Sequence, residues 1–321
     1  MLSPESPLLV IGAGSIGERH IGNLQAKGFR NIYVLRSRNL PMRNIDASTV
    51  KVLTKWNEVE AVKPVAAFIT SPTALHVEQT LACVRAGMHV LVEKPLSHNL
   101  EGLDALKQAI SEKGVYVYIA YMLRFHPLLK RMRAFVEAET YGKLLSFTTH
   151  WGEYLPDWHP WEDYRESYAA RKELGGGAAL TLSHDLDMSN WLVGRPIASF
   201  MSLANRKSAL EVSVEAGADF LIKYENDVTG HVHLNFYEQP ATRFMHFVFE
   251  TGTVYFDYYK ATLTFRTKTT TEVVSLNNFD RNAMFLEQAD AFLSKINSYT
   301  VAESLAGVAE SEQLIKMCNT L

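Results

Sequence analysis

The sequence predicts a chain in two parts: an α/β domain with a doubly wound parallel sheet over residues 1–122, then an α+β domain over 123–321 built on one large, mostly antiparallel open sheet with helices. Three observations predict it. An apolar run, Leu8-Leu9-Val10-Ile11, breaks into Gly12-Ala13-Gly14-Ser15-Ile16-Gly17, and a helical segment follows. Short apolar strands then alternate with helical segments as far as Tyr121, which implies a parallel sheet covered on both faces. Beyond Lys143 the segments become long and strand-like with short turns between neighbours, as in antiparallel pairing.

Taken in order, the first strand ends in a turn suited to a nucleotide. Gly12 permits the tight bend, Gly14 lets the backbone approach a pyrophosphate, and Gly17 lets the helix pack on the strand. The helix N-terminus there offers unpaired N–H groups and a positive dipole end to phosphates. Glycine turns also occur for steric reasons alone, but the place of this one between a buried-type strand and an amphipathic helix favours binding. The helix covers 16–27 and stops at Gly28, and residues 31–35 form the second strand. Arg36-Ser37-Arg38 follows. NAD-binding units place an acid about 20 residues past the turn, on the ribose 2′-hydroxyl. Here the position holds Arg36, and two arginines with a serine suit a 2′-phosphate, so NADP is expected over NAD. The bland alternative is a solvated basic loop.

Residues 56–62 read as a helix and 65–70 as a buried strand, from which Thr70-Ser71-Pro72 leads into a helix over 74–86. His89 to Glu93 is the next strand, Lys94-Pro95 follows it, a helix covers 100–113, and 115–121 is another strand. Doubly wound sheets bind ligands outside the carboxyl ends of their strands. The glycine turn, Thr70 to Pro72 and Glu93-Lys94-Pro95 all fall on that edge. Lys94 is either a group that works there or a surface lysine turning with Pro95.

The second half opens with a helical segment over 123–139 that begins Arg124-Phe125-His126-Pro127. Strands are expected over 143–154, 198–206, 216–225, 228–238, 243–250 and 253–276. In 228–238 Thr229, His231, His233 and Asn235 share one face. The two histidines lack a third ligand at a telling spacing, so a polar sheet face or subunit interface is preferred to a metal site. Residues 155–174 carry Trp158, Trp161, Tyr164 and Tyr168 among Arg165, Arg171 and Lys172. Irregular segments of this length serve as lids or binding loops. Aromatic faces suit sugars and arginines suit phosphates or carboxylates, while a subunit contact is the competing reading. After Gly175-Gly176-Gly177 the apolar positions Leu180, Leu182, Leu186, Trp191 and Leu192 fit a helix, on which His184 and Asp187 share a face. A histidine oriented by a carboxylate acts as general acid or base near neutral pH, although such pairs are also structural. Helices over 283–296 and 303–319 close the chain.

Composition narrows the class. A net charge of −3, from 32 basic and 35 acidic residues, argues against a nucleic-acid binder. No apolar run reaches a membrane span, and the N-terminus lacks the basic region of a signal peptide. Two cysteines, Cys83 and Cys318, far apart in the sequence, argue against a disulfide framework and fit a cytoplasmic setting.

GAGSIGERH, SPTALH, VEKPLS and GGG followed by an HxxD helix, in that order, together resemble the Gfo/Idh/MocA oxidoreductases over nearly the whole chain. YLPDWHPWEDYR…LGGG is similar to a subgroup from surface-polysaccharide and nonulosonic-acid sugar pathways. The resemblance implies a Rossmann domain, NAD or NADP, and oxidation of a sugar, cyclitol or nucleotide-sugar hydroxyl or the reverse reduction. It implies cofactor contacts from Gly12, Gly14, Ser15, Ile16, Gly17, Arg36, Ser37, Arg38, Thr70, Ser71, Pro72, His76, Glu93 and Lys94. It implies catalytic roles for Lys94, His184 and Asp187. Substrate contacts are expected from Lys94, Arg124, Trp158, Trp161, Tyr164, Arg171, His184 and Asp185, with no metal and a homodimer or homotetramer. The family often carries an aspartate four residues before the histidine. That position is Leu180, beside Thr181, so either Asp185 or Asp187 stands in or activity is reduced. Two further readings stay open: a cofactor-responsive regulatory protein, favoured by the absent aspartate, and a glycoside hydrolase working through transient oxidation.

Overall fold

The computed structural model describes residues 2–36 and 41–321, in two compact units: Met1–Ala120 with Asn282–Ile315, and Tyr121–Arg281 with Lys316–Leu321. The first unit opens with β1 (Leu8–Ile11), α1 (Ser15–Ala26), β2 (Ile32–Leu35), β3 (Lys51–Leu53), α2 (Trp56–Val62) and β4 (Ala66–Ile69). It continues with α3 (His76–Arg85), β5 (His89–Glu93), α4 (Leu103–Lys113) and β6 (Val117–Ala120). Its six strands lie in the order β3-β2-β1-β4-β5-β6, every pair parallel. β1 and β4 are buried along their whole length, which is why their sequences are unbroken apolar runs rather than alternating ones. β3 has no counterpart among the expected strands. It is three residues long at the sheet edge with Lys51 and Val52 exposed, so it carries no apolar pattern to read.

In the second unit a 3₁₀ turn, Met122–Phe125, precedes α5 (Pro127–Glu137) and β7 (Leu144–Tyr154). After an irregular stretch come α6 (Ala178–Thr181) and α7 (His184–Val193). The remaining strands are β8 (Ile197–Asn205), β9 (Gly217–Tyr224), β10 (Thr229–Asn235), β11 (Tyr237–Phe249), β12 (Thr253–Asp257), β13 (Thr262–Arg266) and β14 (Thr271–Ser275). They form one eight-stranded sheet in the order β14-β13-β12-β11-β7-β10-β9-β8, antiparallel except where β10 runs parallel to β7. Alternation sorts its faces. Phe220, Ile222, Tyr224, Val232, Leu234, Met245 and Phe247 are fully or almost fully buried on the inner side. The phenol of Tyr224 donates to Asn190 Oδ1 at 2.6 Å, fixing α7 against that face. The single helix expected to carry Leu180 through Leu192 breaks at Leu182-Ser183, so α7 begins at His184 with an N-terminus of its own.

The chain closes with α8 (Asn282–Lys295) and α9 (Val301–Cys318). These correct the expected division at 122/123, because Asn282–Ile315 pack with the first unit. Phe292 is fully buried there, its ring 5.5 Å from Phe68 and stacked 5.7 Å from Tyr116. From α9, Ser304 Oγ accepts the N–H of Val117 at 3.1 Å. Phe292→Ala is therefore expected to destabilise the first unit by about 3–5 kcal/mol in urea-induced unfolding. A loss below about 1 kcal/mol would mean that α8 contributes little to that core.

Candidate functional site

At the carboxyl edge of the parallel sheet the glycine turn does three separate jobs. Gly12 has φ +95°, and an added Cβ would press on the Thr70 carbonyl at 3.0 Å. A Cβ on Gly17 would lie 2.2 Å from the Gly12 carbonyl oxygen, so α1 reaches this edge only without a side chain there. A Cβ on Gly14 would meet nothing within 4 Å. Gly14 and Ser15 are exposed, Ile16 is half-buried, and no side chain caps α1. An uncapped helix start with open space at its glycine fits a phosphate group. Arg36 follows β2 and is half-buried, while Ser37 and Arg38 lie outside the described residues.

Two further loops meet this edge. The Thr70 hydroxyl donates to the carbonyls of Ile11 (3.0 Å) and Gly12 (2.9 Å), and Ser71 Oγ donates to Gln79 Oε1 at 2.6 Å. Pro72 is exposed. His76, expected among the cofactor contacts, is only 2% exposed. Its Nδ1 lies 2.8 Å from the Pro95 carbonyl and its Nε2 2.8 Å from the Ser71 carbonyl, so the ring is wedged between the two loops and donates to one of them from whichever nitrogen carries the proton. Burial pushes its basicity down, against the pull of both carbonyls. Glu93 likewise turns its carboxylate to the buried ring of His20, at 2.8 Å. Lys94 is half-buried between these two anchored neighbours, Glu93 and Pro95.

In the second unit the first turn of α7 gathers charge. His184 is 6% exposed, with Tyr121 edge-on at 5.7 Å and Trp151 tilted against it at 6.1 Å. Asp187, expected to orient His184, takes a two-pronged pair from Arg124, Nε to Oδ2 at 3.0 Å and Nη2 to Oδ1 at 2.6 Å. Arg124, expected to meet substrate, thus has a structural partner. Asp185, also expected there, is fully buried and receives Arg243 Nη2 at 2.5 Å. Burial raises the Asp185 carboxyl, and the Arg243 cation opposes that. Burial, with Asp187 nearby, raises the phenol of Tyr121, so it stays protonated. Leu180 and Thr181 are buried on α6. Arg243 is absent from the sequence expectations, yet its position carried a signal. It shares the parity of Met245, Phe247 and Phe249, so the alternation that buries those three turns a charge inward.

The aromatic stretch is a chain of four short 3₁₀ turns: Leu155–Asp157, Tyr164–Glu166, Tyr168–Ala170 and Lys172–Leu174. Trp158 is half-buried edge-on to Phe236 at 5.6 Å, and Trp161 is 65% exposed. The Tyr164 hydroxyl accepts the N–H of Glu211 at 3.0 Å. Arg171, expected to meet an anion, pairs within the loop with Glu166 at 2.6 Å and Glu173 at 2.5 Å. Gly176 then fits where a Cβ would lie 2.4 Å from the Tyr168 carbonyl oxygen, and Ala179 N–H is held by Glu215 Oε1 at 3.0 Å. On the outer sheet face His231 and His233 share Asp219 Oδ1 at 2.9 and 2.7 Å, and His150 meets Glu238 at 2.6 Å. Among the described residues no group of three or more His, Cys, Asp or Glu is placed to hold a metal ion, and no helix is long and apolar enough to cross a membrane.

Comparison with known proteins bears on both halves. A family model described as an oxidoreductase family with an NAD-binding Rossmann fold matches residues 7–121, and the model of the GFO/IDH/MocA C-terminal domain matches 129–255. Levoglucosan dehydrogenase of Pseudarthrobacter phenanthrenivorans is 32% identical over 128 residues, 39% of this chain and 32% of that protein. An NADP-dependent scyllo-inositol 2-dehydrogenase of Bacillus subtilis is 29% identical over 169 residues, 51% of this chain and 44% of that protein. The matched segments thus span a third to under half of these two relatives. Among solved structures, a levoglucosan dehydrogenase complexed with NADH superposes with TM-score 0.81 at 17% identity, over 98% of this chain and 97% of that one. UDP-N-acetylglucosamine 3-dehydrogenase from Acidithiobacillus ferrooxidans gives 0.78 at 17% identity, over 98% and 97%. At that identity the likeness is one of fold.

One buried group near Arg243 makes stability depend on pH. His126 caps α5, accepting the Leu128 N–H at Nδ1, and packs on Phe256 and Phe279. Burial, and then the Arg243 cation, lowers its pKa from 6.5 to about 4. The unfolded chain therefore takes up a proton that the folded chain refuses between those values. Its contribution is fully present above pH 6.5 and is lost as pH falls towards 4, by about 3 kcal/mol in all. His126→Asn, which keeps a capping acceptor but does not titrate, should flatten this part of the curve when unfolding free energy is measured from pH 7 to 4. An unchanged slope would assign the acid sensitivity elsewhere.

Proposed function

Because the chain belongs to the Gfo/Idh/MocA oxidoreductase family, we propose that it transfers a hydride between a nicotinamide cofactor, NADP(H) in preference to NAD(H), and a secondary alcohol or ketone of a sugar, cyclitol or nucleotide sugar. The observation that supports this most is the uncapped start of α1 with open space at Gly14, on the sheet edge that also carries Lys94. Ser15, Ile16 and Gly17 offer their N–H groups to the pyrophosphate, and Thr70, Ser71 and Pro72 form the neighbouring wall. Arg36 with Ser37 and Arg38 receives the 2′-phosphate. The bound nicotinamide supplies the hydride acceptor or donor. In the oxidative direction His184 takes the hydroxyl proton as general base, and Lys94 stabilises the developing alkoxide. Asp187, clasped by Arg124, holds the turn that carries His184. Trp158, Trp161 and Tyr164 offer ring faces to the sugar.

Levoglucosan, the inositols, D-xylose and UDP-N-acetylglucosamine make a first substrate panel, followed by nicotinamide absorbance with each cofactor. Lys94→Ala is expected to lower kcat by about 100-fold or more on any member that turns over, with cofactor affinity kept within a few-fold. Undiminished turnover would remove Lys94 from the chemistry. Arg36→Asp combined with Arg38→Ala is expected to move the ratio of NADPH to NADH affinity by about tenfold or more towards NADH in fluorescence titrations. A constant ratio would make the basic stretch a solvated turn.

We also infer a homodimer or homotetramer through the outer face of the large sheet. Met201 and Leu221 lie opposite each other in register there, with Leu203 on the same face, and all three are more than half exposed. Leu203→Glu with Leu221→Glu should reduce the mass read by sedimentation equilibrium to that of one chain, whereas an unchanged oligomer would place the interface elsewhere. A cytoplasmic setting fits the two free, buried thiols, Cys83 and Cys318, and cell fractionation checks it.

A further inference from the structure

Arg243 is an arginine inside a core. It is 3% exposed, because it stands on the inward-facing parity of β11 with Met245 and Phe247. Three contacts hold it. Its Nη2 donates to Asp185 Oδ2 at 2.5 Å, its guanidinium carbon lies 3.6 Å over the Trp151 ring, and Tyr258 covers it at 4.8 Å. Two of these contacts lead to His184. Asp185 is the next residue in the first turn of α7, and the ring of Trp151 lies 6.1 Å from the imidazole. Tyr121 closes another side of that imidazole, edge-on at 5.7 Å. The same turn is gripped again at Asp187 by Arg124, which comes from the 3₁₀ turn Met122–Phe125. Two arginines from separate elements therefore hold the two carboxylates that follow His184 in the first turn of α7.

The residue type matters. A guanidinium is planar and always charged, so it can lie against an aromatic ring while donating in its own plane to a carboxylate. A lysine ammonium is a point donor and does one or the other. Stability alone does not call for the arrangement, since a buried ion pair can often be replaced by apolar groups of similar volume without loss. What apolar groups cannot supply is a fixed direction for the first turn of α7.

We propose that Arg243 is a positioning residue: by clamping Asp185 and backing Trp151 it sets the orientation of the His184 imidazole. The proposal rests on the reading of His184 as the group that meets the reacting hydroxyl. It adds to that reading an explanation of how the ring is held in a chain with Leu180 where the resembled family often has an aspartate.

The test separates folding from orientation. Arg243→Met alone strands a buried carboxylate and is expected to unfold easily. The double variant Arg243→Met/Asp185→Leu removes both charges and is expected to keep its Tm within about 5 °C of wild type. In protein saturated with NADPH, the ring signals of His184, assigned by their disappearance in His184→Asn, are read by ¹H–¹⁵N NMR. Wild type should give one sharp set. The folded double variant should give displaced or exchange-broadened signals, with NADPH affinity within about twofold and, on a panel substrate, kcat lowered about tenfold or more at little change in KM. Arg243→Lys, which keeps the charge and loses the stacked fork, should show the same displacement, and it carries the test should the double variant not fold. Wild-type His184 signals in whichever of these variants folds overturn the proposal by themselves. Full turnover in His184→Asn overturns instead the functional reading beneath it, and the two failures cannot be confused.

Discussion

Contact between α1 and the sheet edge with no side chain in between sets the position of everything at that edge. An ideal Cβ on Gly17 would sit 2.2 Å from the Gly12 carbonyl oxygen and 2.8 Å from Thr70 Oγ1, closer than real Cβ atoms come to any neighbour. With hydrogen there instead, α1 settles where the Thr70 hydroxyl can tie down the ends of β1. One turn further on, His20 then reaches past β4 to Glu93 at the end of β5. His76 adds the last contact, its ring wedged between the Ser71 and Pro95 carbonyls. The backbone that carries Lys94 is thus located by a chain of contacts that starts at a glycine nearly eighty residues earlier.

In the second unit the organising feature is charge held away from water. A helix that ran unbroken from Ala178 would bury Asp185 and Asp187 in mid-helix, where the backbone offers them nothing. The break at Leu182-Ser183 gives α7 a fresh N-terminus, whose positive dipole end favours acids in the first turn. Each acid then meets an arginine, one of them wholly inside the core. Losing one partner of such a buried pair costs about 3–5 kcal/mol, because the other is left uncompensated. The arrangement is therefore intolerant of single changes even where the joint replacement of both partners is mild.

Much of this was legible in the sequence. β1, β4 and β5 announce themselves as apolar runs because both faces of the sheet are covered, and the glycine spacing marks which edge carries the site. The wide sheet showed in alternation such as Val228 to Phe236. Three things were not legible, each for a physical reason. β3 is too short and too exposed to carry a pattern. Leu182 and Leu186 stand four residues apart across the break before His184, so helical periodicity runs straight across it. The partners of Asp185, Asp187 and His76 are set by tertiary approach, from β11, from the turn before α5 and from the loop after β5, and no local spacing encodes them. Arg243 could have been found, since an inward-phased charge in a strand asks for a buried counter-ion, though not which one.

The return of Asn282–Ile315 to the first unit has a consequence for how the chain is made. The nucleotide-type domain is not a segment that a ribosome finishes early. At about 5–20 residues per second its sheet emerges many seconds before α8 does. Until then Phe68 and Tyr116 lack the ring of Phe292 that packs on them in the finished fold. The nascent N-terminal part therefore waits with an apolar face uncovered while the whole antiparallel sheet is synthesised. A stop codon anywhere before residue 282 would strand it in that condition, a substrate for chaperones and proteases rather than a free-standing module.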